Sequence, residues 1–122
     1  MRLNQVTVGT TDYEASVAFY KKLGLTQIVH SPPRYARFET PNGETFSIHQ
    51  MDTVASTTTV YFEVDDVDAF VAALDLPLAH PPVDQDWQWR EARLNDPCGN
   101  EICIYHAGDI RRFPPWRINI EE

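Results

Sequence analysis

The sequence predicts an α+β chain built from two βαβββ modules that form a curved mixed sheet around a cavity. Three observations carry that prediction. First, Arg34–Gln50 (RYARFETPNGETFSIHQ) aligns without gaps to Arg90–His106 (REARLNDPCGNEICIYH), matching Arg34, Ala36, Arg37, Pro41, Gly43 and Ile48 to Arg90, Ala92, Arg93, Pro97, Gly99 and Ile104. Second, each copy sets a Pro-x-Gly turn between segments that alternate with period two, the pattern of a half-buried hairpin. Third, each copy follows a strand and a capped helix, so the element order restarts halfway.

In chain order, Leu3–Val8 reads as a strand, with Leu3, Gln5 and Thr7 on one face and Val6 and Val8 on the other. Thr11-Asp12-Tyr13-Glu14 fits a capping box with Thr11 as the cap. The helix then runs to about Lys22, with a stripe of Tyr13, Val17, Tyr20 and Leu23 flanked by Phe19, and Gly24 closes it. Thr26–His30 is a strand, Ser31-Pro32-Pro33 a break, and Tyr35–Glu39 with Thr45–Gln50 the first hairpin. Module one thus spans about 1–51, and a polar linker covers about 52–58.

Module two, about 59–106, opens with the strand Thr59–Val64. Asp65 or Asp66 caps a helix whose stripe is Val67, Phe70, Val71 and Leu74. Leu76–Ala79 is expected as a short strand and Pro81–Trp87 as a loop before the second hairpin. The tail 107–122 departs from the repeat; its stiff Phe113-Pro114-Pro115-Trp116-Arg117 is expected to pack over the sheet or across a partner copy.

At 122 residues the chain is one domain with room for a real core. A net charge of -8 argues against nucleic acid and anionic membrane surfaces as partners. There is no membrane-spanning apolar run and no signal-peptide pattern. Cys98 lies in a turn and Cys103 in the strand after it, so a bond between them is not expected. A reduced, cytoplasmic setting follows.

The strands divide into two faces. Val6, Val8, Phe46, Ile48, Val60, Phe62, Ile102 and Ile104 face the helices. Gln5, Thr7, Ser47, His49, Thr59, Tyr61, Glu63, Glu101, Cys103 and Tyr105 make a polar and aromatic opposite face, either solvated or the wall of a ligand cavity.

Several segments resemble one family. Val6-Thr7-Val8 through Asp12, Ser16, Phe19-Tyr20 and Leu23-Gly24-Leu25 is similar to the opening of the vicinal oxygen chelate superfamily, the glyoxalase, bleomycin-resistance and extradiol-dioxygenase group. Phe62–Asp68 resembles the opening of its second module, and Asp96-Pro97-x-Gly99-Asn100 with Ile102-x-Ile104-Tyr105 its closing hairpin. The resemblance implies paired modules around a cavity and, for short chains, a homodimer. It also implies that the metal-dependent members' ligand positions fall on Gln5, Ser47, Thr59 and Cys103. The family pattern asks for His, Gln or Glu there, and only Gln5 fits, so no cofactor is expected and a divalent metal is disfavoured.

Candidate residues follow from that face. Glu63 is the candidate acid/base, against a reading as an edge-strand carboxylate or an ion-pair partner of Arg37 or Arg93. His49 is a candidate base or hydrogen-bond donor, against a solvent-facing strand end. Cys103 reads better as inert packing than as a nucleophile. Gln5, Thr7, Ser47, Thr59, Tyr61, Cys103 and Tyr105 are candidate ligand contacts. Trp87 and Trp89 suit a lid or stacking wall, or a subunit interface. Arg37 and Arg93 suit an acidic ligand, or pair with carboxylates on the sheet.

Three functions remain open. One is a metal-independent small-molecule binding protein. A second is a glyoxalase-like lyase, isomerase or dioxygenase acting on a small carbonyl or aromatic compound through Glu63 and His49. The third is an interaction or regulatory domain without a small ligand.

Overall fold

The computed structural model describes residues 1–55 and 58–118. Ser56 and Thr57 of the expected linker and residues 119–122 of the expected tail lie outside them. The order is β1 (Gln5–Thr10), α1 (Tyr13–Leu23), β2 (Thr26–Ser31), β3 (Tyr35–Glu39), β4 (Thr45–Gln50), β5 (Thr59–Glu63), α2 (Val67–Ala73), β6 (His80–Asp84), β7 (Arg90–Asn95) and β8 (Glu101–His106), followed by a 3-10 turn at Gly108–Arg111. The two four-stranded sheets run β1-β4-β3-β2 and β5-β8-β7-β6, each with one parallel pair at its inner edge. The two βαβββ modules are as predicted.

Local chemistry sets the element ends. Asp12, not Thr11, caps α1: its carboxylate accepts the Ala15 amide at 3.2 Å, while the Thr11 hydroxyl lies against Cys98. Aspartate is the stronger cap of the two, and it carries the charge that suits the positive end of the helix. Gly24 ends α1 at φ 118, a backbone angle that side chains resist. Asp66 caps α2 in the same way, through Ala69.

One strand is displaced from its expected place. Residues 76–79 form no strand; β6 begins at His80 and runs through Pro81 and Pro82. Proline donates no ladder hydrogen bond, so it belongs at an edge or a bulge. β6 is the outer edge of its sheet, and its register against β7 shifts between His80 and Val83.

The core lies on the helix side of both sheets. Tyr20, Phe38, Ile48, Leu94, Ile102 and Ile104 are fully enclosed. Phe46 of module one meets Phe62 of module two edge-on, with centroids 5.9 Å apart, so the cores touch. Among the described residues no helix is long and apolar enough to cross a membrane.

Candidate functional site

The two modules are joined at one end of their interface. The turn between β7 and β8 inserts against the end of β1 and the start of α1. Its Asp96 carboxylate accepts from Tyr20 Oη at 2.5 Å, from the Cys98 and Asn100 amides at 2.9 Å each, and from Asn100 Nδ2 at 2.8 Å. Asn100 Nδ2 also donates to the Gly9 carbonyl at 3.0 Å, which ties module two to β1. Burial and the adjacent Asp96 charge hold the Tyr20 phenol far above its usual range.

The opposite end is open. In the repeat Thr40 stands for Asp96, Glu44 for Asn100, and Leu74 of module two stands where α1 has Tyr20. None of these can rebuild the joint. In its place is a cleft of about 750 Å³ between the turn at Thr40–Asn42, the strands β1 and β5, and α2. Val6, Leu25, Phe46, Phe62 and Phe70 supply its apolar wall, and Gln5, Tyr61, Glu63 and Tyr105 bring polar atoms to it. A space of that size and composition suits a small organic molecule.

Beside the cleft, the face of module two away from its helix is a closed network. Glu91, only 1 % exposed, accepts from Trp87 Nε1 at 2.7 Å and from Arg93 Nη2 at 2.8 Å. Arg93 also bonds Glu101, which accepts from Thr59 Oγ1 at 3.0 Å. Trp89 stacks on Tyr105 with centroids 4.5 Å apart, and Tyr61 stands edge-on to both. The tail contributes Ile110, Arg111, Pro114 and Trp116 to a small hollow of about 140 Å³ against Trp87 and Trp89. Within the described residues, then, the tail meets the tryptophan loop.

Four of the candidate residues, Gln5, Tyr61, Glu63 and Tyr105, therefore line one cleft. Thr59, Trp87 and Arg93 are joined in the neighbouring network, and Trp89 is stacked on Tyr105. Thr7 and Ser47 share a hydrogen bond of 2.5 Å on module one, beside the exposed His49. Glu63 accepts the Ala107 and Gly108 amides at 2.8 and 2.9 Å, fastening the start of the tail. Glu63→Ala is expected to cost about 0.5–1.5 kcal/mol, the value of such bonds at a partly exposed site, as read by urea denaturation. Glu91 was not among the candidates, although the repeat marks it: it replaces Tyr35, two residues before the shared arginine.

The cysteines differ sharply. Cys103 is enclosed, and burial, with Glu91 nearby, pushes its thiol up to about 12. Cys98 is half-buried at the start of α1, 3.1 Å from Thr10 Oγ1 and 3.3 Å from the Thr11 amide. Burial pushes its thiol up, but the hydrogen bonds from Thr10 and Thr11 outweigh that and leave it below its ordinary value. One thiol per native chain, Cys98, is expected to react with iodoacetamide at neutral pH, and both after denaturation; peptide mass spectrometry reads the sites.

The family's metal does not fit these residues. Ser47 and Cys103 are enclosed, Thr59 is hydrogen-bonded to Glu101, and Gln5 accepts from Thr45 at 2.8 Å. Among the described residues no three His, Cys, Asp or Glu side chains converge as a metal site requires.

Paired βαβββ modules around a cleft define a glyoxalase-type fold. The family model for the Glyoxalase/Bleomycin resistance protein/Dioxygenase superfamily matches residues 2–104, and the chain belongs to that superfamily. Among solved structures, a glyoxalase/bleomycin resistance protein/dioxygenase from Nocardioides is 25% identical with a TM-score of 0.75, covering 98% of this chain and 90% of that one. A bleomycin-binding protein complexed with bleomycin is 17% identical with a TM-score of 0.72, covering 88% and 98%. A lactoylglutathione lyase from Agrobacterium tumefaciens is 17% identical with a TM-score of 0.74, covering 87% and 93%. These last two share the fold. No curated protein matches the sequence.

Proposed function

We propose that this chain binds a small organic molecule, without a metal, in the cleft between its modules. The observation that carries the reading is the cleft of about 750 Å³, with an apolar wall from both modules and polar atoms from Gln5, Tyr61 and Tyr105. The fold shared with a protein that holds bleomycin supports it. The donor chemistry of Gln5, Ser47, Thr59 and Cys103 supports binding without a metal. The free thiols Cys98 and Cys103 fit a reducing compartment, and pairing into a homodimer is part of the proposal.

The test is a thermal-shift screen with aromatic and aliphatic compounds, repeated on Val6→Trp. Val6 lines the cleft and is 40% exposed, so an indole there fills space without disturbing the core. Hits are expected to raise the melting temperature of the natural chain and lose that effect in the variant. Hits that act equally on both would overturn the cleft as the site. Light scattering reads the oligomeric state.

A further inference from the structure

Arg37 and Arg93 hold the same register in the two copies of the hairpin, and among the described residues only Arg93 of the two is in an ion pair. On β7, Arg93 lies opposite Cys103 and its guanidinium is held by Glu91 and Glu101. On β3, Arg37 lies opposite Ser47, and the repeat puts Tyr35 and Thr45 where those glutamates stand. Among the described residues Arg37 makes no ion pair, Glu39 on its own strand included. Its Nε donates to Tyr35 Oη at 2.9 Å, and its guanidinium lies 5.5 Å from the centre of that ring.

The face around Arg37 also carries Glu39, two residues along its strand, and His49, opposite Tyr35. Thr7 and Ser47 present hydroxyls on the same face. The Tyr35 phenol is raised by burial but brought below its ordinary value by hydrogen bonds from Ser47 and Arg37. Gln5 and Thr45, which line the cleft, stand one row along the strands from Thr7, Ser47 and Arg37 on the same face, so the patch adjoins the cleft wall. A guanidinium presents a planar fork suited to a carboxylate, and at the equivalent place in module two Arg93 Nε and Nη2 both donate to one oxygen of Glu91.

We propose that Arg37 anchors the carboxylate of an apolar carboxylic acid whose body lies in the cleft, the ligand supplying in module one what Glu91 supplies in module two. The assignment rests on the small-molecule reading above and narrows it to one chemical class. The chain's net charge of -8 gives no long-range attraction for an anion, so selectivity comes from this local guanidinium.

The probes are 4-phenylbutyrate and its uncharged amide, titrated into isotope-labelled protein and followed by NMR. The acid is expected to shift the Arg37 Nε resonance together with Val6 and Phe62, and to bind at least about tenfold more tightly than the amide. Arg37→Met is expected to remove that preference, Arg37→Lys to keep part of it, and Tyr35→Glu to close the subsite by giving Arg37 an internal partner. Circular dichroism confirms the fold of each variant, and the three changes fail independently of one another. Equal binding of acid and amide, unchanged in Arg37→Met, would overturn the anion subsite while the cleft reading stands. A shift at Arg37 with none in the cleft would sustain the subsite and sink the cleft. No binding of either probe at millimolar concentration would overturn both.

Discussion

Asp96→Ala is expected to lower the free energy of unfolding by about 3–5 kcal/mol, while Thr40→Ala, the same position in the other copy of the hairpin, lowers it by less than about 1 kcal/mol. Asp96 is 5 % exposed and receives hydrogen bonds from Tyr20, two backbone amides and Asn100. Removing the carboxylate takes the acceptor from the Tyr20 hydroxyl and the two amides, while Asn100 Nδ2 keeps the Gly9 carbonyl, and the Tyr20 hydroxyl has no route to water because that residue is fully enclosed. Each buried donor left alone costs on the order of 1–3 kcal/mol, and partial relaxation of the turn keeps the total below the sum. The Thr40 hydroxyl donates to the Glu44 carboxylate at an exposed site. Urea denaturation of the two variants reads the contrast directly. Equal effects at the two turns would show that the joint at Asp96 does not hold the modules together.

Glu91→Ala is expected to cost about 2–4 kcal/mol and to shift tryptophan emission to the red. The value sits below that for a fully buried pair because the Arg93 side chain is 25% exposed and keeps Glu101 as a partner. Trp87, however, loses its acceptor, and its indole is freed toward water along with the hollow it shares with Trp116. Glu91→Gln retains an acceptor for Trp87 and is expected to lose about half as much. An emission maximum unchanged in Glu91→Ala would mean that the tryptophan loop is held by stacking on Tyr105 alone.

The repeat made most of the fold legible, because hydrophobic alternation and Pro-x-Gly turns are local signals that survive without knowledge of packing. The displaced β6 shows where such signals end. Two prolines argue for a loop until the strand is known to lie at a sheet edge, and edge position is a property of the whole topology. The cap of α1 was off by one residue because Thr11 and Asp12 are both able caps, and contact of Thr11 with Cys98, 87 residues away, separates them. The polar face was readable by counting alternate residues, and it delivered Gln5, Tyr61, Glu63 and Tyr105 to one cleft. What those residues bond was not readable. Glu63 faces two backbone amides of a tail that breaks the repeat, and Glu91 matters through partners on its own strand and the tryptophan loop. The difference between the two hairpin copies, Tyr35 against Glu91 and Thr40 against Asp96, was in the sequence throughout. Its meaning needed the neighbours each residue meets.

The one-ended joint has a mechanical consequence. Two similar bodies tied by buried hydrogen bonds at one tip, and beyond it only by apolar contact such as Phe46 on Phe62, are held more firmly at the pin than at the jaws. The pin is the cluster of Tyr20, Asp96, Asn100 and Gly9, and the jaws are the Thr40–Asn42 turn and α2. Cys98 sits at the pin itself, against Thr10 and Thr11. A bulky group attached to that sulfur would crowd the contact between the β7–β8 turn and the start of α1, the place where the two modules are tied.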